Sequence, residues 1–474
     1  MSRWWALIVL CMGALMIVVD MTIVNVALPS IGADLGFSQT ALVWVVNGYT
    51  LTFGGFLLLG GRLGDIYGKR RVFLIGIVAF TATSLVCGLA VSQGLLVAAR
   101  ALQGVGGAVV DAVALSLIVS LFTQPRERAK AMGIYGFVCA GGGSIGVLLG
   151  GLLTNAFSWH WIFLVNLPIG VAIFFACLRL LPADTVPARR EPLDVGGAVT
   201  ITAALMVAVY AVIGGNEAGW TSPRTLALFA VALVLLGVFV AIEARTTSPL
   251  VPLRLFRRRN IVFSNVVGVL WSGGMFAWFF IAALYLQGVL GYDALEVGLA
   301  FLPANLVMAV LSLGVSAWLV GRFGVRLPLA GGLGLAAIGL ALFARAPVGG
   351  DFVVDVLPGM LLLGAGAGIA FNPLLLAAMS DVSPEESGLA SGVVNTGFMM
   401  GVALGLAVLA SIAAARTEGL VAQGVARVPA LNGGYQAAFF VGALFTLLAA
   451  VLGGTLLRQR TNESTNAEPS PQAS

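Results

Sequence analysis

The chain has 474 residues, 59% of them hydrophobic and 9% charged, with a mean hydropathy of +1.03. A soluble domain carries about 25% charged residues, so this composition excludes a water-covered globular enzyme and specifies a multi-pass membrane protein. The net charge of +5 sits in short loops between apolar blocks, which argues against nucleic-acid binding, and the single histidine, His160, leaves little for a histidine-based catalytic or metal site.

In chain order, fourteen apolar blocks are long enough to cross a ~30 Å hydrocarbon core as helices. The first, about 5–28, is too long for a signal-peptide core and has no small-residue cleavage site, so it is expected to remain as a helix. It is followed by 41–61, 71–91, 95–121, 130–154 and 161–181, then by 195–213 and 225–244. The last six are 261–288, 296–320, 326–344, 353–378, 388–414 and 434–457. Cys11, Cys87, Cys139 and Cys177 all fall inside apolar blocks without CxxC spacing and read as small core hydrophobes.

Loop charges fix the orientation. With a cytoplasmic N-terminus, 20 of the 25 Lys and Arg lie on the cytoplasmic side, among them Arg62, Arg126, Arg128, Lys130, Arg189, Arg190, Arg254, Arg257, Arg258 and Arg259. The other side holds Arg224, Arg345, Arg416 and Arg427, and Arg100 stays within a span. The positive-inside rule expects this split and places both termini in the cytoplasm. The polar tail beyond Arg460 is expected to be disordered. Thr247–Asn260 mixes Leu, Val and Phe with Arg and suits an interfacial segment, while Ala415–Tyr435 reads as the longest external loop.

A worn internal repeat runs through the chain. "GDIYGKRR" (Gly64–Arg71) is echoed by "GRFGVR" (Gly321–Arg326), and "GVGGAVVDAV" in the fourth span by "GAGAGIAFNP" in the twelfth. The step is eight spans, so an N-terminal six-helix bundle (1–181) and a C-terminal one (261–457) correspond. Between them lies a linker with two inserted membrane helices and the interfacial segment (182–260), and residues 458–474 form the tail. Two parallel bundles with a site between them is transporter architecture.

"LGGRLGDIYGKRRVFL" (Leu59–Leu74) packs Gly61, Asp65, Gly68, Lys69, Arg70 and Arg71 into one interhelical loop. Its glycines allow a sharp turn, and Asp65 can pair with cations of this loop or of the neighbouring bundle as a conformational latch. The loop resembles the signature loop of the major facilitator superfamily. "VDMTIVNVALPSI" (Val19–Ile31), "RALQGVGGA" (Arg100–Ala108) and "GGGSIGVLLGG" (Gly141–Gly151) resemble motifs of its drug:proton antiporters. With "SWHWIFLVNLPIG" (Ser158–Gly170) and fourteen spans, the match narrows to the fourteen-helix drug:H⁺ antiporter-2 family. The resemblance implies an all-α major facilitator fold and proton-coupled multidrug efflux in the cell membrane. It also implies an antiporter helix carrying Gly142, Gly146, Gly150 and Gly151. Two positions depart from the pattern. Val147 replaces the usual proline, so bending there must rely on glycines, and His160 stands where relatives commonly carry arginine. That histidine is either a titrating group or an interfacial residue between two tryptophans.

Charged groups inside the bilayer are costly and mark function or a partner. Asp20 lies ~24 Å up the first span and Arg100 about six residues into the descending fourth, at matching depth. They are expected to interact, either as a proton-linked acid tuned by its arginine or as a static ion pair. Asp111 follows Arg100 by eleven residues, on the same helical face and ~16 Å deeper, with Gly104 and Gly107 opening space along that face. It reads as a cavity carboxylate for a cationic substrate or a proton, or as a neutral acid held by hydrogen bonds. Asn47, Tyr49, Gln103, Asn305, Asn372 and Asn395 are candidate substrate contacts or interhelical hydrogen bonds. Trp44, Trp271, Trp278, Phe276 and Phe371 are candidates for an aromatic pocket.

No G-x-x-x-x-G-K-[ST] occurs, so no ATP, cofactor or metal is expected. The expected partners are a small-molecule substrate, protons and lipid, with the chain acting as a monomer. The leading expectation is a proton-coupled antiporter exporting amphipathic, cationic drugs. The alternatives are a dedicated exporter of one endogenous metabolite and a non-transporting membrane sensor or scaffold.

Overall fold

The computed structural model describes residues 3–38, 40–182, 193–247, 249–380 and 387–457, and among these it is all helical. The first half holds α1 (Arg3–Leu35), α2 (Val43–Tyr67), α3 (Lys69–Gly88), α4 (Gln93–Leu121), α5 (Pro125–Ala156), α6 (Trp161–Leu164) and α7 (Asn166–Leu180). Two helices follow, α8 (Val195–Ala218) and α9 (Pro223–Arg245), then a 3₁₀ turn at Leu253–Arg257. The second half holds α10 (Arg259–Gly288), α11 (Ala294–Val310), α12 (Ser316–Phe323), α13 (Arg326–Phe343), α14 (Leu357–Met379), α15 (Ser387–Ala422) and α16 (Arg427–Leu456).

Twelve helical segments among the described residues are long and apolar enough to cross a membrane. α5, with 32 residues, opens on the charged run Pro125–Lys130 and continues as an apolar, glycine-rich stretch. The tenth expected span is a continuous helical run from Ala294 to Phe323, in which a π-helical turn at Leu311–Val315 joins α11 to α12. The expected external loop at Ala415–Tyr435 is overturned, for α15 continues to Ala422 and α16 begins at Arg427. The amphipathic pattern that suggested a surface loop is that of helix ends projecting beyond the bilayer: 36 residues of α15 span ~54 Å, against ~30 Å of hydrocarbon. In the interfacial segment Leu255 is buried beside Ile261 and Val393 while Phe256 stays exposed. The tail, the pair Arg189/Arg190 and the Cys139 side chain lie outside the described residues, whereas Cys11, Cys87 and Cys177 are buried free thiols.

Small residues decide how closely the helices cross. With lipid as apolar as leucine, helix association depends on close packing and interhelical hydrogen bonds. Within the first half α2 packs on α4, α3 on α4 and α7, and α1 on α5. Within the second, α10 packs on α15 and α16, and α13 on α14 and α16. The halves meet where α5 packs on α11 and α2 on α15, and α8 lies along both α2 and α15. One very close crossing is α10 on α15, where a methyl group on Gly405 would overlap the Gly273 backbone. Gly405→Ala is therefore expected to push these helices apart and cost about 1–3 kcal/mol, read as a lowered melting temperature in detergent. An unchanged melting temperature would show that the crossing adapts freely.

Candidate functional site

The site grows from α1, α4 and α7. Ser92 caps α4 by accepting from the Leu95 amide, which sets the helix in register two turns before Arg100. Asp20 and Arg100 are both fully buried, at 0% and 1% exposure. Arg100 Nη1 donates to Asp20 Oδ2 at 2.5 Å and to Gln103 Oε1 at 2.8 Å, and its Nε donates to the Val45 carbonyl at 3.1 Å. The guanidinium lies over the Tyr49 ring at 4.3 Å and near that of Phe163 at 5.5 Å. The other carboxylate oxygen, Asp20 Oδ1, accepts from Gln103 Nε2 and from Asn166 Nδ2, each at 2.9 Å. Both oxygens of Asp20 are thus engaged, by side chains from α4 and α7. A buried ion pair of this kind is stable only when every remaining lone pair and proton is satisfied.

Asn166 and Ser84 are the residues that sequence reasoning passed over. Asn166 Nδ2 also reaches Ser84 Oγ at 3.0 Å, and Ser84 donates to the Phe163 carbonyl at 2.9 Å. The signal was available, since Asn166 is the one amide in the apolar run "WIFLVNLPIG". Nothing in sequence marks Ser84.

Arg100 also borders a small cavity between the halves. Met21, Thr22 and Asn25 of α1 and Val46, Tyr49 and Thr50 of α2 form one wall. Phe276, Phe279 and Phe280 of α10 and Val402 and Leu406 of α15 form the other. The cavity measures about 30 Å³, room for a few waters and far below the ~300–1,000 Å³ of a drug-sized pocket. The aromatic wall continues away from it. Phe276 meets Phe398 at 5.6 Å, Phe398 meets Trp271 at 5.6 Å, and Trp271 meets Phe371 at 6.2 Å. Trp271 is buried with its Nε1 lacking a partner, while Phe371 is 40% exposed.

Asp111 is placed apart from this centre. It is half-buried, and its Oδ1 accepts from Tyr135 Oη of α5 at 2.9 Å. The expected open space at Gly104 and Gly107 is not there: α2 fills it, with Tyr49 and Thr52 against Gly104 and with Tyr49 and Phe53 against Gly107. The glycines serve close helix approach rather than a void. Asn47 spends its amide on the Ala403 carbonyl of α15 at 2.9 Å, tying the halves together, and Asn372 donates to the Ser312 carbonyl at 3.2 Å. Asn305 is buried with Nδ2 unpartnered, and Asn395 is half-buried on α15. Trp278 is enclosed by Phe279, Phe301 and Phe343, and Trp44 lies against Tyr210 of α8, so neither joins the cavity wall.

The two glycine motifs occupy opposite ends of the spans. Gly68, with φ +97°, is the single residue between α2 and α3, a conformation that favours glycine. Asp65 pairs with Lys69 of its own loop at 3.7 Å, Lys69 also reaches the Ser116 carbonyl at 3.5 Å, and Arg70 donates to the Leu178 carbonyl at 2.6 Å. Gly61 faces Ala112 of α4, and Arg71 borders an apolar groove between α2, α3 and α4. On α5, Gly142, Gly146 and Gly150 face Val18, Val19 and Ile23 of α1, while Gly151 faces Ala294 and Leu295 of α11. Val147, in the proline position, is buried, and its carbonyl lies against Gly298 of α11. This end is also joined by Gln287 Nε2 donating to the Val26 carbonyl at 3.0 Å. Nearby, His160 stacks on Trp159 at 3.7 Å, and Trp159 Nε1 donates to Asp34 at 2.9 Å.

The family model described as Major Facilitator Superfamily matches residues 10–406. The chain is 40% identical to the puromycin resistance protein pur8 of Streptomyces alboniger over 97% of its length and 92% of the relative's. It is 39% identical to the cephamycin export protein CmcT of Amycolatopsis lactamdurans over 94% of its length and 91% of the relative's. Among solved structures it is similar to an auto-inhibited POT family peptide transporter, with a TM-score of 0.68 and 17% identity, covering 99% of each chain.

Proposed function

The chain belongs to the Major Facilitator Superfamily and is a multi-pass plasma-membrane transporter, not an enzyme; from that premise we propose that it exports amphipathic, cationic antibiotic-like compounds in exchange for protons by alternating access. The observation that carries this reading is the buried Asp20–Arg100 pair bordering a cavity with a polar wall on one half and an aromatic wall on the other. Protonation of Asp20 frees Arg100 from its partner, so proton and substrate compete for one local arrangement of charge. The similarity to a puromycin resistance protein and a cephamycin export protein supports antibiotic export.

In this reading α5 and the α11–α12 run add two crossings to the twelve, giving fourteen, with both termini cytoplasmic. Residues 1–181 and 261–457 rock as two bundles around the cavity, and 182–260 joins them. Gly61, Asp65, Gly68, Lys69, Arg70 and Arg71 act as the cytoplasmic latch, and the α5 glycines as the external seam. The aromatic wall of Phe276, Phe398, Trp271 and Phe371 receives flat lipophilic substrate as the halves part. Tyr49, Gln103, Asn47, Asn305, Asn372 and Asn395 offer polar contacts as their present bonds exchange.

Proteoliposomes containing purified protein and a pH-sensitive dye test the reading. Addition of a cationic drug is expected to evoke proton movement that protein-free vesicles do not show, and no movement with any cation would remove antiport. Asp111→Asn is expected to weaken transport of cations about tenfold, one lost charge interaction of roughly 1.4 kcal/mol, while neutral substrates are spared. Equal loss for both classes would sink the cation-selective role. A dedicated exporter of one compound is the second reading, favoured by the similarity to a cephamycin export protein. A substrate screen in a pump-deficient host separates the two.

A further inference from the structure

The inserted helices carry a pair of acids that the export reading does not use. Asp194 caps α8, its Oδ1 accepting from the Gly197 amide at 2.7 Å. Glu243 lies near the end of α9, and its Oε2 accepts from the Val251 amide at 3.1 Å. They are 4% and 3% exposed. Each therefore has one oxygen engaged by a backbone amide and one left over, and both leftover oxygens, Asp194 Oδ2 and Glu243 Oε1, are buried without a hydrogen-bond donor. These two oxygens face the same point: a methyl group on Gly197 would meet Asp194 Oδ2 at 2.6 Å and Glu243 Oε1 at 2.7 Å. The two carboxyls are within hydrogen-bonding reach of each other.

Two ionised carboxylates cannot share such a place without strong repulsion, whereas one proton between them makes an O–H···O⁻ bond, among the stronger hydrogen bonds. The charges that act on Glu243 among the described residues are those of Asp194 and of Arg62 on α2. Around the pair, Ala198, Leu250 and Leu59 of α2 are buried together. What the pair holds is also clear. α8 lies against α2, with Thr202 packed on Gly55, and against α15, whose Ser411 donates to the Val212 carbonyl at 3.1 Å. The hairpin thus straddles the seam between the two halves.

We propose that Asp194 and Glu243 form a second proton-binding site, which keeps the α8–α9 hairpin and the loop at Val251 docked on α2 while they share one proton and releases them when it is lost. The site is a proton input separate from Asp20, set at the cytoplasmic end in the topology proposed above. Loss of the proton leaves two facing anions, with Arg62 as the cation acting on Glu243 among the described residues, and the cheapest relief is entry of water as the hairpin lifts. The export reading is not required for this, and its test involves no transport.

Spin labels at Tyr67→Cys and Arg245→Cys, at the ends of α2 and α9, report the docking in solubilised protein. With the acids intact, the distance distribution is expected to be narrow at about pH 5 and longer and broader at about pH 9, the range over which buried carboxyls titrate. In Glu243→Gln the amide donates to Asp194 Oδ2 without titrating, so the narrow distribution persists at both extremes. Asp194→Asn, which keeps a capping oxygen for α8, is expected to behave in the same way. A distribution that ignores pH with both acids intact overturns the proposal, as does the same pH response in the Gln and Asn variants.

Discussion

Asp20→Asn is expected to abolish proton-driven export while the protein still folds and inserts. The asparagine keeps the volume of the side chain and one carbonyl oxygen that can accept from Arg100. Its amide nitrogen takes the place of the oxygen that accepted from Gln103 and Asn166, where a flip of the Asn166 amide can offer an acceptor. What it removes is the carboxylate to which the proposed reading assigns proton coupling. Drug-evoked proton movement in proteoliposomes should fall to the level of protein-free vesicles. Downhill exchange of labelled drug across the same membrane should persist, because opening and closing of the two halves does not itself need the proton. Wild-type proton movement in the variant would remove Asp20 from the coupling.

Arg100→Met is the second large effect, and it acts on stability. Methionine fills much of the space but leaves Asp20 with its Oδ2 unmatched at 0% exposure. Removing one partner of a buried pair costs about 3–5 kcal/mol, because the remaining charge is stranded. The double variant Asp20→Asn/Arg100→Met no longer strands a charge and should recover most of the loss. Denaturation in mixed micelles across the four-member cycle measures the coupling. If the single arginine variant is as stable as the parent, the pair does not hold α1 to α4. Activity should be lost in both arginine variants, which separates the role in export from that in folding.

Much of this arrangement was legible before any coordinates. Charge in an apolar helix is rare enough that Asp20 and Arg100 stood out, and 1.5 Å per residue placed them at one depth. The pair is found in direct contact. Asn166 and Ser84 were not found in this way, because an amide or hydroxyl in an apolar run has many uses and only the fold shows which carboxylate it meets. Gly104 and Gly107 were read with the wrong sign: absence of a side chain looks the same in sequence whether it leaves a void or admits a neighbour. Asp111 was placed on the face of Arg100, but its partner Tyr135 comes from α5, and periodicity along one helix cannot name a residue on another. The pair Asp194 and Glu243, 49 residues apart, was invisible for the same reason.

The saturation of Asp20 has a consequence for the cell that houses such a carrier. A bacterium stores work as a difference of proton concentration and voltage across its membrane, and any continuous wet path through a protein would discharge it. Here both carboxylate oxygens are occupied by protein donors, and the adjoining space is about 30 Å³. In the antiport reading proposed above, a proton would pass this centre only as the halves move, so idle molecules in the membrane would drain nothing.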